Sequence, residues 1–171
     1  MKKITLLLAM LLFTPMTVLA ADSAAGSNQA CTTFGNKIIV GQKEWVTVLN
    51  SNQKTIAKVD TGATTSSINA TEIKDFEKDG KDMVSFKIKV KDQESETITL
   101  PVVRWVHIKQ SSSTKTSRRP IIELNIKLGD KTYTTPFNLV DRDHMVNAIL
   151  LGRSFLTKVA LVDVEQKYLL K

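Results

Sequence analysis

From Lys37 onward the chain is a succession of short segments whose apolar and polar residues alternate or cluster as strands do. Met83-Val84-Ser85-Phe86-Lys87-Ile88-Lys89-Val90 alternates apolar with polar, and Ile122-Glu123-Leu124-Asn125-Ile126-Lys127-Leu128 does the same. A period of two puts every second side chain on one face, so each segment predicts a half-buried strand. Gly129-Asp130, between the second segment and Tyr133-Thr134, supplies a hairpin turn. Ile56-Ala57-Lys58-Val59 and Ala148-Ile149-Leu150-Leu151 read as apolar strands. Two places suit single helical turns: residues 71–76, with Thr71 as cap, and residues 154–158. Neither a repeat nor a heptad is visible. The pattern predicts a mostly-β domain, compatible with a small closed barrel carrying one or two short helices.

The N-terminus has a different character. Lys2-Lys3 precede an unbroken apolar run over residues 6–13, and Val18-Leu19-Ala20 presents small residues for cleavage after Ala20. The run is short and Pro15 interrupts it, so it suits a signal peptide better than a membrane span of about 20 residues. The expected organisation is a signal peptide over residues 1–20, a flexible small-residue linker over 21–34 and one domain over 35–171. That implies a periplasmic or secreted protein with no transmembrane helix after cleavage. The single cysteine, Cys31, has no intrachain partner, and is either a free thiol or a link between chains.

A mature chain of this size buries about 68–70% of its unfolded surface in one core. Cleavage removes Lys2 and Lys3, lowering the formal net charge of +7 by two. No basic run with interleaved aromatics is present, so nucleic acid is not implied. The residual positive balance suits acidic peptides or an anionic envelope surface, or is simply solvated charge.

The candidate chemistry starts at Asp60-Thr61-Gly62-Ala63, which follows the strand ending at Val59. Two carboxylates held about 3 Å apart cannot both ionise; sharing a proton, they activate a water as base and acid. The chain has one such motif, so a second Asp has to come from a second copy. Near the C-terminus, the apolar strand over residues 148–151 runs into Gly152-Arg153. A glycine there lets two backbones approach closely.

In this order the two motifs resemble the retroviral type of aspartic peptidase. The remainder narrows the likeness: Ser66-Ser67, Phe76-Glu77-Lys78-Asp79-Gly80, Val84-Ser85-Phe86, Arg118-Arg119-Pro120, Leu139-Val140-Asp141-Arg142, Ser154-Phe155-Leu156 and Leu161-Val162-Asp163. Over roughly residues 36–170 the chain is similar to the bacterial retropepsin-like family often labelled ATP-dependent zinc protease and met beside ATP-grasp glutamate ligases. The resemblance implies a homodimeric aspartic endopeptidase acting on a peptide or protein substrate. Asp60 would supply the catalytic carboxylate. Thr61 would tie the two catalytic turns together, Gly62 would admit water and substrate, and Ala63 would complete the turn. Gly152 would sit behind that turn, and Arg153 would brace the turn or the dimer. The viral pattern has an acid where this chain has Thr64, which leaves the partner of Arg153 open, with the acids of the Asp141-Arg142-Asp143 cluster as candidates. Residues 110–119 resemble the mobile tip of a flap hairpin. On the strand before it, Trp105 and His107 either face a cleft or pack beneath the hairpin.

Neither half of the family label is written in the sequence. There is no His-Glu-x-x-His pair, and His107 and His144 would need carboxylates such as Asp141 or Asp143 to complete a zinc site. No Gly-x-x-x-x-Gly-Lys-Ser/Thr loop is present for ATP. The expectation is a peptidase without metal or cofactor. The alternatives are a non-catalytic binding module of the same fold and, third, a zinc-dependent hydrolase.

Overall fold

The computed structural model describes residues 32–109 and 116–170. The expected signal peptide, most of the linker, Cys31 and residues 110–115 of the flap-like segment lie outside the described residues, while residues 116–119 of that segment begin β10. In sequence order the elements are β1 (Thr33–Phe34), β2 (Lys37–Val40), β3 (Lys43–Val48), β4 (Gln53–Val59), β5 (Ser66–Lys78), β6 (Lys81–Val90) and β7 (Gln93–Glu94). They continue with β8 (Ile98–Pro101), β9 (Arg104–Lys109), β10 (Thr116–Leu128), β11 (Lys131–Val140), β12 (Ile149–Leu151), α1 (Arg153–Val159) and β13 (Ala160–Val162). Thr33 and Phe34, at the end of the expected linker, pair with β2.

The architecture is mostly β, a closed six-stranded barrel with one short helix. The main sheet runs β11-β10-β3-β4-β12-β5, and a parallel pairing of β11 with β5 closes the ring. Closure removes the unpaired edges that an open sheet would present. The two alternating segments behave as their period demands. Val84, Phe86, Ile88 and Val90 of β6 are buried, as are Ile122, Leu124, Ile126 and Leu128 of β10. They meet Ile68, Phe137, Leu139, Ile149 and Leu151 in one core. Fully burying a side chain of this size contributes about 1.5–3 kcal/mol. The Gly129-Asp130 hairpin forms as expected, with Leu128 opposite Lys131 and Gly129 in the left-handed region at φ +58°.

Of the two expected helical turns, one forms. Residues 154–158 lie within α1, which buries Phe155 and Leu156. Residues 71–76 are not helical: they belong to the 13-residue strand β5. The first five residues of β5 are buried in the barrel; the rest project as an exposed arm paired with β6 from Lys74↔Ser85 to Lys78↔Lys81. A bulge between Thr71 and Lys74, with Glu72 at φ +51°, bends the strand where it leaves the barrel. The Thr71 hydroxyl bonds the Glu94 carboxylate and caps nothing. Pairing with the strongly alternating β6 decides the conformation over local propensity.

The C-terminal tail closes against β3. Glu44 is fully buried, and its carboxylate accepts the N–H groups of Gly41 at 2.7 Å and of Leu169 and Leu170 at 3.1 Å. These charge-assisted bonds fix the last described residues beside the first turn of the barrel.

Candidate active site

Strand β4 ends at Val59 and delivers Asp60 at the rim of the barrel, where the Asp60 N–H donates to the Leu151 carbonyl at 2.9 Å. Leu151 is also the register partner of Val59, so β12 runs directly beside the strand that carries the acid. The backbone then turns sharply, and Asp60 Oδ1 accepts the N–H groups of Gly62 at 3.0 Å and Ala63 at 3.1 Å. Gly62 is not left-handed. A β-carbon there would stand 3.2 Å from Asp60 Oδ1, so this glycine supplies room beside the carboxylate. Thr61 and Gly62 are exposed, and the Asp60 side chain is 26% exposed.

Asp60 follows the last residue of β4, and Lys58, two positions before it, brings Nζ to 3.3 Å from Asp60 Oδ2. Burial acts to raise the Asp60 carboxyl. The Lys58 ammonium and the N–H groups of Ala63 and Gly62 outweigh it, and hold the group below the ordinary aspartate value. Lys58 is not among the residues expected from the motifs, although it stands two positions before the acid.

Gly152 stands behind the turn, as expected. A β-carbon on it would meet the Thr65 carbonyl carbon at 2.8 Å and oxygen at 2.9 Å, and the Ala63 carbonyl oxygen at 3.0 Å. Only glycine lets β12 and the turn lie this close. Ser66 accounts for the serines after the motif: its hydroxyl accepts the Gly152 N–H at 3.0 Å, and its own N–H donates to Ser154 Oγ at 3.3 Å.

Arg153 lies against the Asp60 turn, but not through the acids considered as its partners. It pairs with neither Asp141 nor Asp143. Its Nη1 donates to the carbonyls of Thr61 at 3.0 Å and Gly62 at 2.7 Å, and its Nη2 to Thr64 Oγ1 at 3.0 Å. Its backbone N–H and that of Ser154 add bonds to the Ala63 and Thr64 carbonyls, each at 2.9 Å. The hydroxyl of Thr64 thus stands where the viral pattern has an acid, and Arg153 braces the turn within the same chain. Asp143 instead binds Lys89 at 2.5 Å and Asn69 Nδ2 at 2.8 Å, which holds its carboxyl below the ordinary value.

The strand pair β9–β10 stands beside this region, with Trp105 opposite Pro120 and His107 opposite Arg118. Trp105 lines a cavity, donates through Nε1 to Asp82 at 2.8 Å, and carries the Arg118 guanidinium 3.5 Å above its ring. His107 is exposed. Among the described residues, no three His, Cys, Asp or Glu side chains are grouped to hold a metal ion, and no helix is long and apolar enough to cross a membrane.

Residues 39–171 match the family model RimB-like, described as retropepsin-like aspartic endopeptidase RimB. The sequence is 36% identical over 140 residues to a protein of Shewanella pealeana named "Probable alpha-L-glutamate ligase", covering 79% of this chain and 30% of that protein. A protein of the same name from Desulfotalea psychrophila is 34% identical over 131 residues, covering 74% and 28%. The chain therefore spans less than a third of the length of these curated relatives. A Legionella pneumophila protein of unknown function, Lpg0085, has a crystal structure that superposes with a TM-score of 0.67 at 31% identity, covering 80% of this chain and 100% of that one. An Asp-Thr-Gly turn braced by a Gly-Arg strand on a closed barrel, together with a family match reaching from β2 to the last residue, shows that the chain belongs to the RimB-like family of retropepsin-like aspartic endopeptidases.

Proposed function

We propose that the protein hydrolyses peptide bonds as a homodimer, with Asp60 of each subunit forming one dyad across a two-fold axis. The observation that carries this reading is the Asp60 turn itself. It is held by its own N–H groups, by Arg153 and by the close approach of Gly152, yet its outer residues are exposed. A rigid, outward-facing turn with one carboxylate is half of an acid–base pair. An isologous contact with a second copy supplies the other half.

Alone, Asp60 is held low and ionised at neutral pH. A second carboxylate about 3 Å away raises one pKa of the pair, so that the two share a proton. The ionised member then takes a proton from water as the water attacks the peptide carbonyl, and the protonated member donates to the carbonyl oxygen. Collapse of the resulting gem-diol returns a proton to the leaving nitrogen. The dyad titrates as a unit. In this reading the hydroxyl of Thr61 ties the two turns across the axis.

The relatives are named as glutamate ligases, and the cavity beside the site carries Arg118, Arg119 and Arg142 against Asp75 and Asp141, an excess of positive charge. Both support an acidic, glutamate-containing peptide as substrate. The apolar run and small-residue site over residues 6–20 support action in the periplasm or outside the cell.

The test uses the protein from Ala21 onward and its Asp60→Asn variant on a peptide pool from pH 4 to 7, with and without chelator. Cleavage that resists chelator and is lost in the variant is expected. Cleavage that persists in Asp60→Asn and stops with chelator would replace this reading with a zinc hydrolase. Tight peptide binding without cleavage by a confirmed dimer would point to a binding module instead.

A further inference from the structure

A cavity of about 670 Å³ opens between β5, β9, β10 and the end of β11. Ser67, Asn138 and Arg142 share its wall. Arg142 is only 8% exposed. Its Nη1 donates to Ser67 Oγ at 2.9 Å, its Nε to the Asn147 carbonyl at 3.1 Å, and its backbone N–H to Asn69 Oδ1 at 2.7 Å. Every one of these acceptors is neutral. Among the described residues no carboxylate forms an ion pair with Arg142, because the acids nearby are committed elsewhere. Asp143 is held by Lys89 and Asn69; Asp141 Oδ1 accepts the Asp143 N–H at 2.9 Å; Asp75 lies 3.8 Å from Arg118.

A cation taken out of water without a counter-charge is costly to the fold. Burial is the main influence lowering the Arg142 pKa; the charge of Asp60 opposes it and that of Arg119 adds to it. The same wall has a second uncompensated group. Asn138 is 5% exposed, and its Nδ2 donates to the Ser66 carbonyl at 2.9 Å. That bond fixes the orientation of the amide, and leaves Oδ1 buried with no partner. Arg142 therefore has no directly paired anion, although the charge of Asp60 acts on it, and Asn138 Oδ1 has no hydrogen-bond donor. A peptide residue with a side-chain carboxylate and a backbone N–H offers both.

The position fits a substrate path. Ser67 is the register partner of both Asn138 and Leu150, and the next residue, Leu151, accepts the Asp60 N–H. Asn138 on β11 is thus separated by β5 alone from β12, which holds the Asp60 N–H, and Arg142 lies just past the end of β11.

We propose that Arg142 and Asn138 form a subsite for an acidic residue of the substrate, with the side-chain carboxylate on the Arg142 guanidinium and the peptide N–H on Asn138 Oδ1. This rests on the peptidase reading and assigns Arg142 a role in specificity, not in catalysis.

The test measures binding by calorimetry to the full-length protein with Asp60→Asn, which does not turn over the ligand. The probes are a six-residue glutamyl peptide, six versions with one Glu replaced by Gln, and six with one backbone nitrogen methylated. One Gln position is expected to weaken binding by about 10- to 100-fold, and methylation at that same residue is expected to weaken it again. Adding Arg142→Gln should abolish the Glu-over-Gln preference at that position alone, with Arg142→Lys restoring part of it. Absence of any Glu-over-Gln preference overturns the proposal, as does a uniform loss across all peptides in Arg142→Gln. The methylation series needs no substitution at the subsite, so a misfolded variant does not blunt the test: Gln and N-methyl effects falling on different residues would overturn it too. Selective binding with no cleavage by the unmutated protein would refute the peptidase reading and leave the subsite standing; cleavage without selective binding would do the reverse.

Discussion

Replacing Gly152 by alanine isolates the contact on which the Asp60 turn depends. The new methyl group would stand 2.8 and 2.9 Å from the Thr65 carbonyl carbon and oxygen and 3.0 Å from the Ala63 oxygen. All three are backbone atoms, and the turn that holds them is pinned by the N–H groups of Arg153 and Ser154. Relief requires the turn to move away by several tenths of an ångström. Inserting a methyl into packed structure costs about 1–3 kcal/mol, and loosening one or two turn hydrogen bonds adds about 1 kcal/mol each. The expected loss is about 3 kcal/mol. With an m-value of about 1–3 kcal/mol/M in urea, the unfolding midpoint followed by circular dichroism should fall by roughly 1–3 M. Gly80→Ala is the control. A β-carbon at Gly80 meets nothing within 4 Å, and its φ of +71° carries only the left-handed backbone penalty of about 1 kcal/mol. A midpoint for Gly152→Ala equal to or above that of Gly80→Ala would refute the argument that two backbones meet at this point.

Other substitutions test the surroundings. Arg153→Ala removes three guanidinium bonds to the turn and, the site being exposed, should cost about 1–2 kcal/mol of stability and lower kcat/KM by roughly 10- to 100-fold through misplacement of Asp60. Arg153→Lys should recover little, because one ammonium cannot span three acceptors. Lys58→Met should raise the Asp60 pKa, followed by carboxyl-carbon NMR titration. Because the Asp60 pKa is depressed in the folded protein, the Lys58 pair stabilises the fold above the unfolded aspartate value and the benefit is lost as pH falls through the folded value. With Lys58 53% exposed, the variant should lose under about 1 kcal/mol at neutral pH. Glu44→Ala strips three N–H groups of their acceptor and should cost about 2–4 kcal/mol, with limited proteolysis newly cutting the tail beyond Gln166.

Alternation made β6 and β10 legible from sequence alone, and Gly129-Asp130 marked the turn after β10. The meeting of Gly152 with the Asp60 turn was legible through motif order. What was hidden depended on contacts between distant positions. Half of residues 71–76 are charged and all but Thr71 are exposed, so nothing in their own pattern separates a helical turn from a strand; pairing with β6 does. Arg153 was sought beside an acid, but its acceptors are two carbonyls and a threonine hydroxyl on a turn roughly 90 positions earlier. A cluster of carbonyls leaves no mark in a sequence of side chains. Glu44, between Lys43 and Trp45, looks like a surface acid until the tail reaches it from 126 positions away. Arg142 sits among Asp141 and Asp143 in sequence, yet the fold turns both acids elsewhere and buries the arginine.

The shared dyad is tested most directly by mixing active subunits with Asp60→Asn subunits, allowing exchange, and measuring peptide cleavage across the composition range. If each active site needs Asp60 from both subunits, activity follows the square of the active fraction, and an equal mixture retains about one quarter. A linear fall, with about one half retained at equal mixing, would show that one Asp60 suffices and that no dyad is shared across a dimer.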